Sequence, residues 1–302
     1  MSVPPRSPAA WRRAPIVLLG PLVRELGAEM LTVFPGALLG VTAQGWMRRW
    51  NHDGLVHDRR WDEAHEVLPL VDVLFFSYED VGYDLERLKA YASLAKTAVV
   101  CIDMQNAFVR EGGMFDLAGW PTQAARDNIE PCRKLIEAAR FAGAKVVYVT
   151  MSFKPGLTNA GGLESPNFYK EIGMVLLRRH PEFTEQSIVE GTWGVQIVDE
   201  LAPLPGEPVI RKQRYSGFAG TDLDFVLKTL GIRHCLFIGG ATNVCVSATL
   251  MDAFSHDYWP ILVADAVFTH CPPVTVEAAL WNVENIFGWV TRVDDVLKTF
   301  GE

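Results

Sequence analysis

The chain has no Cys-x-x-Cys pair, no cysteine–histidine cluster of the kind that holds zinc, and no apolar run that reaches the roughly 18 residues of a membrane span. A zinc-type fold and a helical membrane span are thereby excluded from the reading. Basic residues are in short supply, with 28 Lys and Arg against 36 Asp and Glu, for a formal charge of −8. Arg12-Arg13 and Arg48-Arg49 are isolated pairs, whereas a nucleic-acid surface needs clustered excess Lys and Arg. Internal repeats are absent, and the stretch up to Pro15 carries arginines and prolines but no apolar core of a secretory signal. The five cysteines, at 101, 132, 235, 245 and 271, are odd in number and widely spaced. That pattern fits free thiols in a reducing compartment, so the expected location is the cytoplasm.

About half of the 302 residues are hydrophobic, enough to build one large core or two smaller ones. Residues 1–13, rich in Pro and Ser, are expected to be disordered. From 14 to 95 the pattern is α/β: a strand at 16–19, a helix-like segment at 22–26, strand-like runs over 31–41, a Trp- and Arg-rich polar stretch at 44–61, an apolar run at 71–76 and a helix over 84–95. From Lys96 onward the alternation is regular. Apolar strands are expected at 97–103, 145–151, 208–212, 234–239 and 260–264, with helices at 123–141, 221–230, 245–255 and 276–286. Such βα units make a parallel sheet with helices on both faces. The connection 152–196 is long, polar and rich in Gly and Pro, and is expected to shape a binding cleft.

The stretch Cys235-Leu236-Phe237-Ile238-Gly239-Gly240-Ala241-Thr242-Asn243-Val244-Cys245-Val246 reads as a buried strand, a sharp glycine turn and the start of a helix. Cys245 therefore stands at the carboxyl edge of the sheet, where ligands bind in open α/β folds. There the free N–H groups of a helix start should make its thiol ionise more easily than a free one. A buried structural cysteine is the plainer alternative. Two other strand ends carry chemistry: Asp103 after Val99-Val100-Cys101-Ile102, and Lys212 after Val209-Ile210-Arg211. A cysteine nucleophile needs a base for its proton and a positive charge near its thiolate, which a carboxylate and an ammonium supply. Taken singly, Asp103 could be a helix cap and Lys212 a surface charge. A Cys/His pair drawing on His234 or His270 is a further alternative.

Cys101-Ile102-Asp103-Met104-Gln105-Asn106, then Lys212, then Gly240-Ala241-Thr242-Asn243-Val244-Cys245-Val246, resemble the motifs of the isochorismatase-like cysteine hydrolases, over about residues 96–302. Within that superfamily, Gly112-Gly113-Met114-Phe115-Asp116-Leu117-Ala118-Gly119, Ser165-Pro166-Asn167-Phe168, Arg214-Tyr215-Ser216-Gly217-Phe218 and Phe287-Gly288-Trp289-Val290 look like the ureidoacrylate amidohydrolases of pyrimidine catabolism. The resemblance implies a three-layer α/β/α fold with a central parallel sheet. It makes Cys245 the nucleophile, Asp103 the general base and acid, and Lys212 the cation between them, with the backbone N–H groups of Ala241 and Cys245 as the oxyanion hole and a cis peptide at Gly240–Ala241. The implied activity is C–N hydrolysis of a small linear amide or ureide through a thioester, with no redox cofactor. A metal is not expected, because Thr150-Met151-Ser152-Phe153 lacks the histidine of the nicotinamidase-type metal site.

Met151 and Phe153 replace an amide side chain and a tryptophan favoured by the ureidoacrylate group, which puts the substrate in question. Gln105, Asn106, Phe153, Asn167, Trp193 and Tyr215 are the candidates for the substrate pocket. Other amidases of the superfamily, of biuret, carbamoyl or nicotinamide type, are the alternative activities. A binding or structural protein whose pocket is blocked by its N-terminal segment is the non-enzymatic one. That segment, about 14–97, carries Gly40-Val41-Thr42-Ala43-Gln44-Gly45-Trp46-Met47-Arg48 and Val71-Asp72-Val73-Leu74-Phe75-Phe76-Ser77, and resembles part of a PfkB-type sugar kinase. The Gly-Ala-Gly-Asp motif that carries such a kinase's catalytic aspartate does not follow. The expected organisation is an N-terminal α/β extension over 14–95 and a hydrolase domain over 96–302. Its expected partners are a small-molecule amide or ureide and further copies of the chain in a homo-oligomer, with neither nucleic acid nor membrane.

Overall fold

The computed structural model describes residues 14–20, 28–43, 46–51, 55–58, 61, 64–75 and 94–300. Contacts divide the chain into two compact units, residues 1–95 with 141–144 and residues 96–140 with 145–302. The segments 1–13 and 22–26, and nearly all of the helix read at 84–95, lie outside the described residues.

In the first unit, β1 (Ile16–Leu19), β2 (Leu38–Thr42), β3 (Arg48–Trp50), β4 (Val56–Asp58) and β5 (Val73–Phe75) form a three-stranded parallel sheet in the order β1-β2-β5, plus an antiparallel β3–β4 hairpin. Its core gathers Leu31, Phe34, Val41, Met47, Trp61 and Val67, with Trp46 stacked on Trp61 at 5.6 Å between centroids. The strand-like reading of 31–41 holds only for its second half. Ala28–Val33 is a 3-10 helix, and the turn through Pro35 and Gly36, with Gly36 at φ +78°, separates it from β2.

The second unit is a six-stranded, wholly parallel sheet of β6 (Thr97–Ile102), β7 (Lys145–Met151), β8 (Val209–Lys212), β9 (His234–Gly240), β10 (Trp259–Phe268) and β11 (Trp289–Thr291), in the order β11-β10-β9-β6-β7-β8. Every residue of β6 is buried, as are β7 from Val146 and β9 from Cys235, because helices cover both faces. The chain runs outward from β6 through β7 to β8, then crosses back to lay β9 on the other side of β6. The crevice between the carboxyl ends of β6 and β9 is thus the topological switch point, the place where such sheets bind ligands.

Boundaries differ from expectation for local reasons. The helix expected over 123–141 is two helices, Gln123–Asp127 and Ile129–Ala142. Pro131, which lacks an N–H, sits in the first turn of the second helix, and the buried Asn128 at the junction donates to the Ala266 carbonyl at 3.1 Å. β10 runs four residues past the expected end at Ala264, through an irregularity in its pairing with β9 between Leu262 and Val267, so Asp265 breaks the apolar pattern without ending the strand. The last helices of the sequence reading also shift. Cys245 belongs to a π-helical turn, Thr242–Val246, that precedes the Ser247–Ser255 helix.

Candidate active site

Two glycines bring the ends of β6 and β9 together. A Cβ on Gly239 would lie 2.1 Å from the Ile102 carbonyl oxygen, and one on Gly240 would lie 2.1 Å from the Phe268 ring. Gly239 also has φ +98°, so no other residue fits that contact and that backbone at once. The Gly240–Ala241 peptide is cis. The following turn is tied down on both sides: Thr242 Oγ1 donates to the Phe268 carbonyl at 2.9 Å, Ser247 Oγ to the Thr242 carbonyl at 2.6 Å and Thr249 Oγ1 to the Cys245 carbonyl at 2.7 Å.

Asp103 follows β6 directly, at φ +50°, a left-handed conformation that Asp tolerates better than most residues. Its Oδ1 accepts from the Met151 N–H at 2.9 Å, and its Oδ2 lies 2.9 Å from Lys212 Nζ. Lys212, at the end of β8, is fully buried and also donates to Cys245 Sγ at 3.2 Å. Three strand ends, spread over more than a hundred residues of chain from Asp103 to Cys245, thus form one continuous chain of polar contacts in a buried place.

Electrostatics set the resting state of this chain of contacts. Burial pulls the Lys212 pKa down, but the adjacent Asp103 and Cys245 more than offset it, so the ammonium stays charged well beyond neutral pH. The Cys245 thiol is pushed well up, first by burial and then by the charge of Asp103, while Lys212 pulls it down. This corrects the expectation of an easily ionised thiol. The start of the helix is there, but full burial beside a carboxylate outweighs it and holds the Cys245 thiol's pKa up.

The cavity at this point holds about 480 Å³ of free volume counted out to its mouth. Phe108, Phe115, Trp120, Met151, Ile172 and Phe268 form its apolar walls, and Asp103 and Cys245 its reactive end. Ala241 also lines it, and its N–H has no protein acceptor among the described residues. Glu171, Tyr215 and His270 complete the polar lining. Glu171 caps the Ile172–Arg179 helix, accepting from Gly173 N at 3.1 Å and Met174 N at 2.6 Å, and burial raises its pKa against those two bonds. Tyr215 donates to the Lys170 carbonyl at 2.9 Å. His270 Nδ1 lies 2.9 Å from the Pro121 carbonyl, and burial lowers its pKa, leaving a neutral ring.

Of the six residues read as pocket candidates, Tyr215 lines the cavity and the other five do not. Gln105 is a fully buried brace, accepting from Met151 N at 2.8 Å and donating to the Met151 and Val195 carbonyls at 2.9 and 2.8 Å. Asn106 donates to the Trp193 carbonyl at 3.0 Å and Asn167 to the Ala160 carbonyl at 2.8 Å, so both amides hold loops. Phe153 is buried in a bridge to Val189, and the Trp193 N–H donates to Glu185. The long connection 152–196 does shape the cavity, through Glu171 and Ile172. Sequence reasoning missed these two because a glutamate before an apolar helix reads as an exposed cap. Phe108, Phe115 and Trp120 had a usable signal, being aromatics clustered just after the end of β6.

Of the two histidines considered as partners for Cys245, His234 begins β9, at the opposite end from the cysteine, and His270 is engaged by Pro121. Among the described residues no group of three or more His, Cys, Asp or Glu side chains could hold a metal, and no helix is long and apolar enough to cross a membrane.

A family model described as the isochorismatase domain matches residues 97–295. A ureidoacrylate amidohydrolase from Rhizobium rhizogenes is 42% identical over 208 residues, covering 69% of this chain and 85% of that one. Among solved structures, a cysteine hydrolase from Pseudomonas syringae pv. phaseolicola 1448A aligns with a TM-score of 0.56 at 25% identity, over 68% of this chain and 93% of its own. N-carbamoylsarcosine amidase from Thermoplasma acidophilum aligns with a TM-score of 0.50 at 30% identity, over 66% and 97%. The likeness of residues 14–97 to a sugar-kinase fragment has no support in these matches.

Proposed function

Because the chain belongs to the isochorismatase family and is a hydrolase acting on C–N bonds, we propose that it cleaves a small linear amide or ureide, of the ureidoacrylate kind, through a thioester on Cys245. The observation that carries this reading is the buried contact chain Asp103–Lys212–Cys245 at the reactive end of an apolar-walled cavity.

The reaction follows from the resting charges. As Cys245 Sγ attacks the carbonyl carbon, the thiol proton passes to Asp103, and Lys212 keeps its own proton and stabilises the sulfur and the carboxylate in turn. The oxyanion of the tetrahedral intermediate accepts hydrogen bonds from the Ala241 and Cys245 N–H groups. Asp103 then gives its proton to the leaving nitrogen, the C–N bond breaks, and an acyl- or carbamoyl-thioester remains. A water that loses its proton to Asp103 attacks the thioester, and the departing sulfur recovers that proton. The sum is amide plus water giving acid plus amine, or carbamate plus amine from a ureide. The test is ammonia release from ureidoacrylate, biuret, nicotinamide and carbamoyl amino acids by the wild type and Cys245→Ala. Release that vanishes in the variant is the expected result, and a fully active Cys245→Ala refutes the mechanism.

A further inference from the structure

A carboxylate drawn into an apolar-walled cavity needs a counter-charge there, because an unpaired buried anion is costly. Among the described residues no lysine or arginine lines the cavity, and His270 is the lining side chain that can become a cation. Lys212 is fully buried and committed to Asp103 and Cys245.

His270 is built into the wall. It is 7% exposed, with the Phe115 ring at 4.9 Å and the Phe268 ring at 5.3 Å between centroids. Phe268 is also the ring that a Cβ on Gly240 would strike, so His270 stands one ring away from the turn that leads to Cys245. Because a carbonyl can only accept, Nδ1 carries the proton it shares with Pro121 at 2.9 Å. In the neutral ring Nε2 is then a bare lone pair, buried and without a hydrogen-bond partner. Burial keeps the ring neutral, whereas the Pro121 and Phe108 backbones both favour its charged form. The surroundings thus already suit an imidazolium, and desolvation alone opposes one. The other titratable groups on the cavity are Asp103, Glu171, Tyr215, Cys245 and Cys271, while Asp116 and Arg126 meet at Thr122, next to Pro121. None of these is among the influences on the His270 ring, whereas Glu171 answers to Lys212 and Asp103. Glu171 therefore belongs with the reactive end and His270 with the aromatic wall.

Resting on the proposed C–N hydrolysis, we infer that His270 is the residue that recognises the carboxylate of a ureido acid, taking one proton from solvent onto Nε2 as the anion enters. The site is neutral when empty and charged when occupied. An ester in the same place brings no charge, draws no proton and leaves Nε2 unpaired. The sign of the pH dependence follows. The free ring titrates below its ordinary 6.5, and a bound carboxylate raises that value, so binding of the acid tightens as pH falls between the two.

The experiment pairs ureidoacrylate with its methyl ester and 3-ureidopropionate with its methyl ester. Binding to the full-length Cys245→Ala chain is followed by calorimetry near pH 7 in buffers of different ionisation enthalpy, which reads proton uptake directly. The acids should bind with net uptake of a proton and the esters with none. Between about pH 6 and pH 8 the Kd of each acid should rise while that of its ester stays level. Each acid should lead its ester by at least about tenfold, the scale of a hydrogen bond between charged groups. His270→Asn, which keeps an N–H for Pro121 and cannot titrate, should abolish the uptake and most of that lead, whereas Glu171→Gln should keep both. Acid binding without uptake, uptake that survives His270→Asn or disappears in Glu171→Gln, equal weakening of acid and ester by His270→Asn, or no binding of the acids overturns the assignment. Acid binding with His270-dependent uptake, beside a wild-type chain that releases no nitrogen from any of the four, upholds it and overturns the hydrolytic reading on which it rests.

Discussion

Asp103→Asn isolates what the buried carboxylate does, because it preserves the side chain's shape and its Oδ1 acceptor for Met151 N while removing the charge 2.9 Å from Lys212 Nζ. Lys212 is fully buried, and removing one partner of a buried ion pair typically costs about 3–5 kcal/mol. The pH dependence carries the sign of that cost. In the wild type, the folded pKa of Lys212 lies above its ordinary 10.5. Its pairing therefore contributes stability that is fully present below that unfolded value and is lost only as pH rises through the folded one. In the variant, burial of the ammonium is no longer opposed by a carboxylate, so the folded pKa falls below the unfolded one. The sign reverses: the deficit is largest near neutral pH and shrinks as pH rises toward about 10. Denaturant unfolding of both proteins from about pH 7 to about pH 9.5 reads this directly. Activity should fall by at least about a thousandfold, since one group performs the proton transfers of both half-reactions. A variant as stable as the wild type at neutral pH, a deficit that grows with pH, or activity within tenfold of the wild type would refute the reasoning.

Lys212→Ala should slow alkylation of Cys245 by iodoacetamide near neutral pH, because Lys212 is the group that pulls the thiol's pKa down. An unchanged or faster rate, followed by mass spectrometry of the Cys245 peptide, would contradict the placement of its charge. Gly239→Ala should cost more than about 3 kcal/mol, since its Cβ would lie 2.1 Å from a backbone oxygen at φ +98°. An unfolding midpoint near that of the wild type would show that β6 and β9 can part without loss.

The architecture from Lys96 onward was legible because parallel strands buried on both faces are nearly continuous apolar runs, and β7 was readable to the residue as 145–151. The three polar residues that end β6, β8 and the β9 turn were legible for a related reason. A charged or nucleophilic side chain at the carboxyl end of a buried strand has few places to point except the crevice where such ends converge. The cavity wall was harder to read. Gln105, Asn106 and Asn167 look like substrate ligands in one dimension, yet each spends its amide on a backbone carbonyl that only the folded chain brings near. Glu171 and His270 had the opposite fault, because nothing in their neighbours announces burial. The thiol's pKa was misjudged for the same reason, since helix position is visible in a sequence and desolvation is not.

The central claim is a covalent bond between Cys245 and the acyl or carbamoyl group of the substrate. Acid quenching during turnover, followed by mass spectrometry of the digested protein, tests it most directly. The account predicts a substrate-derived acyl or carbamoyl adduct on the peptide that carries Cys245, removed by alkaline hydrolysis and absent from Cys245→Ala. Hydrolysis that persists in Cys245→Ala, or an adduct carried by another residue, would contradict it.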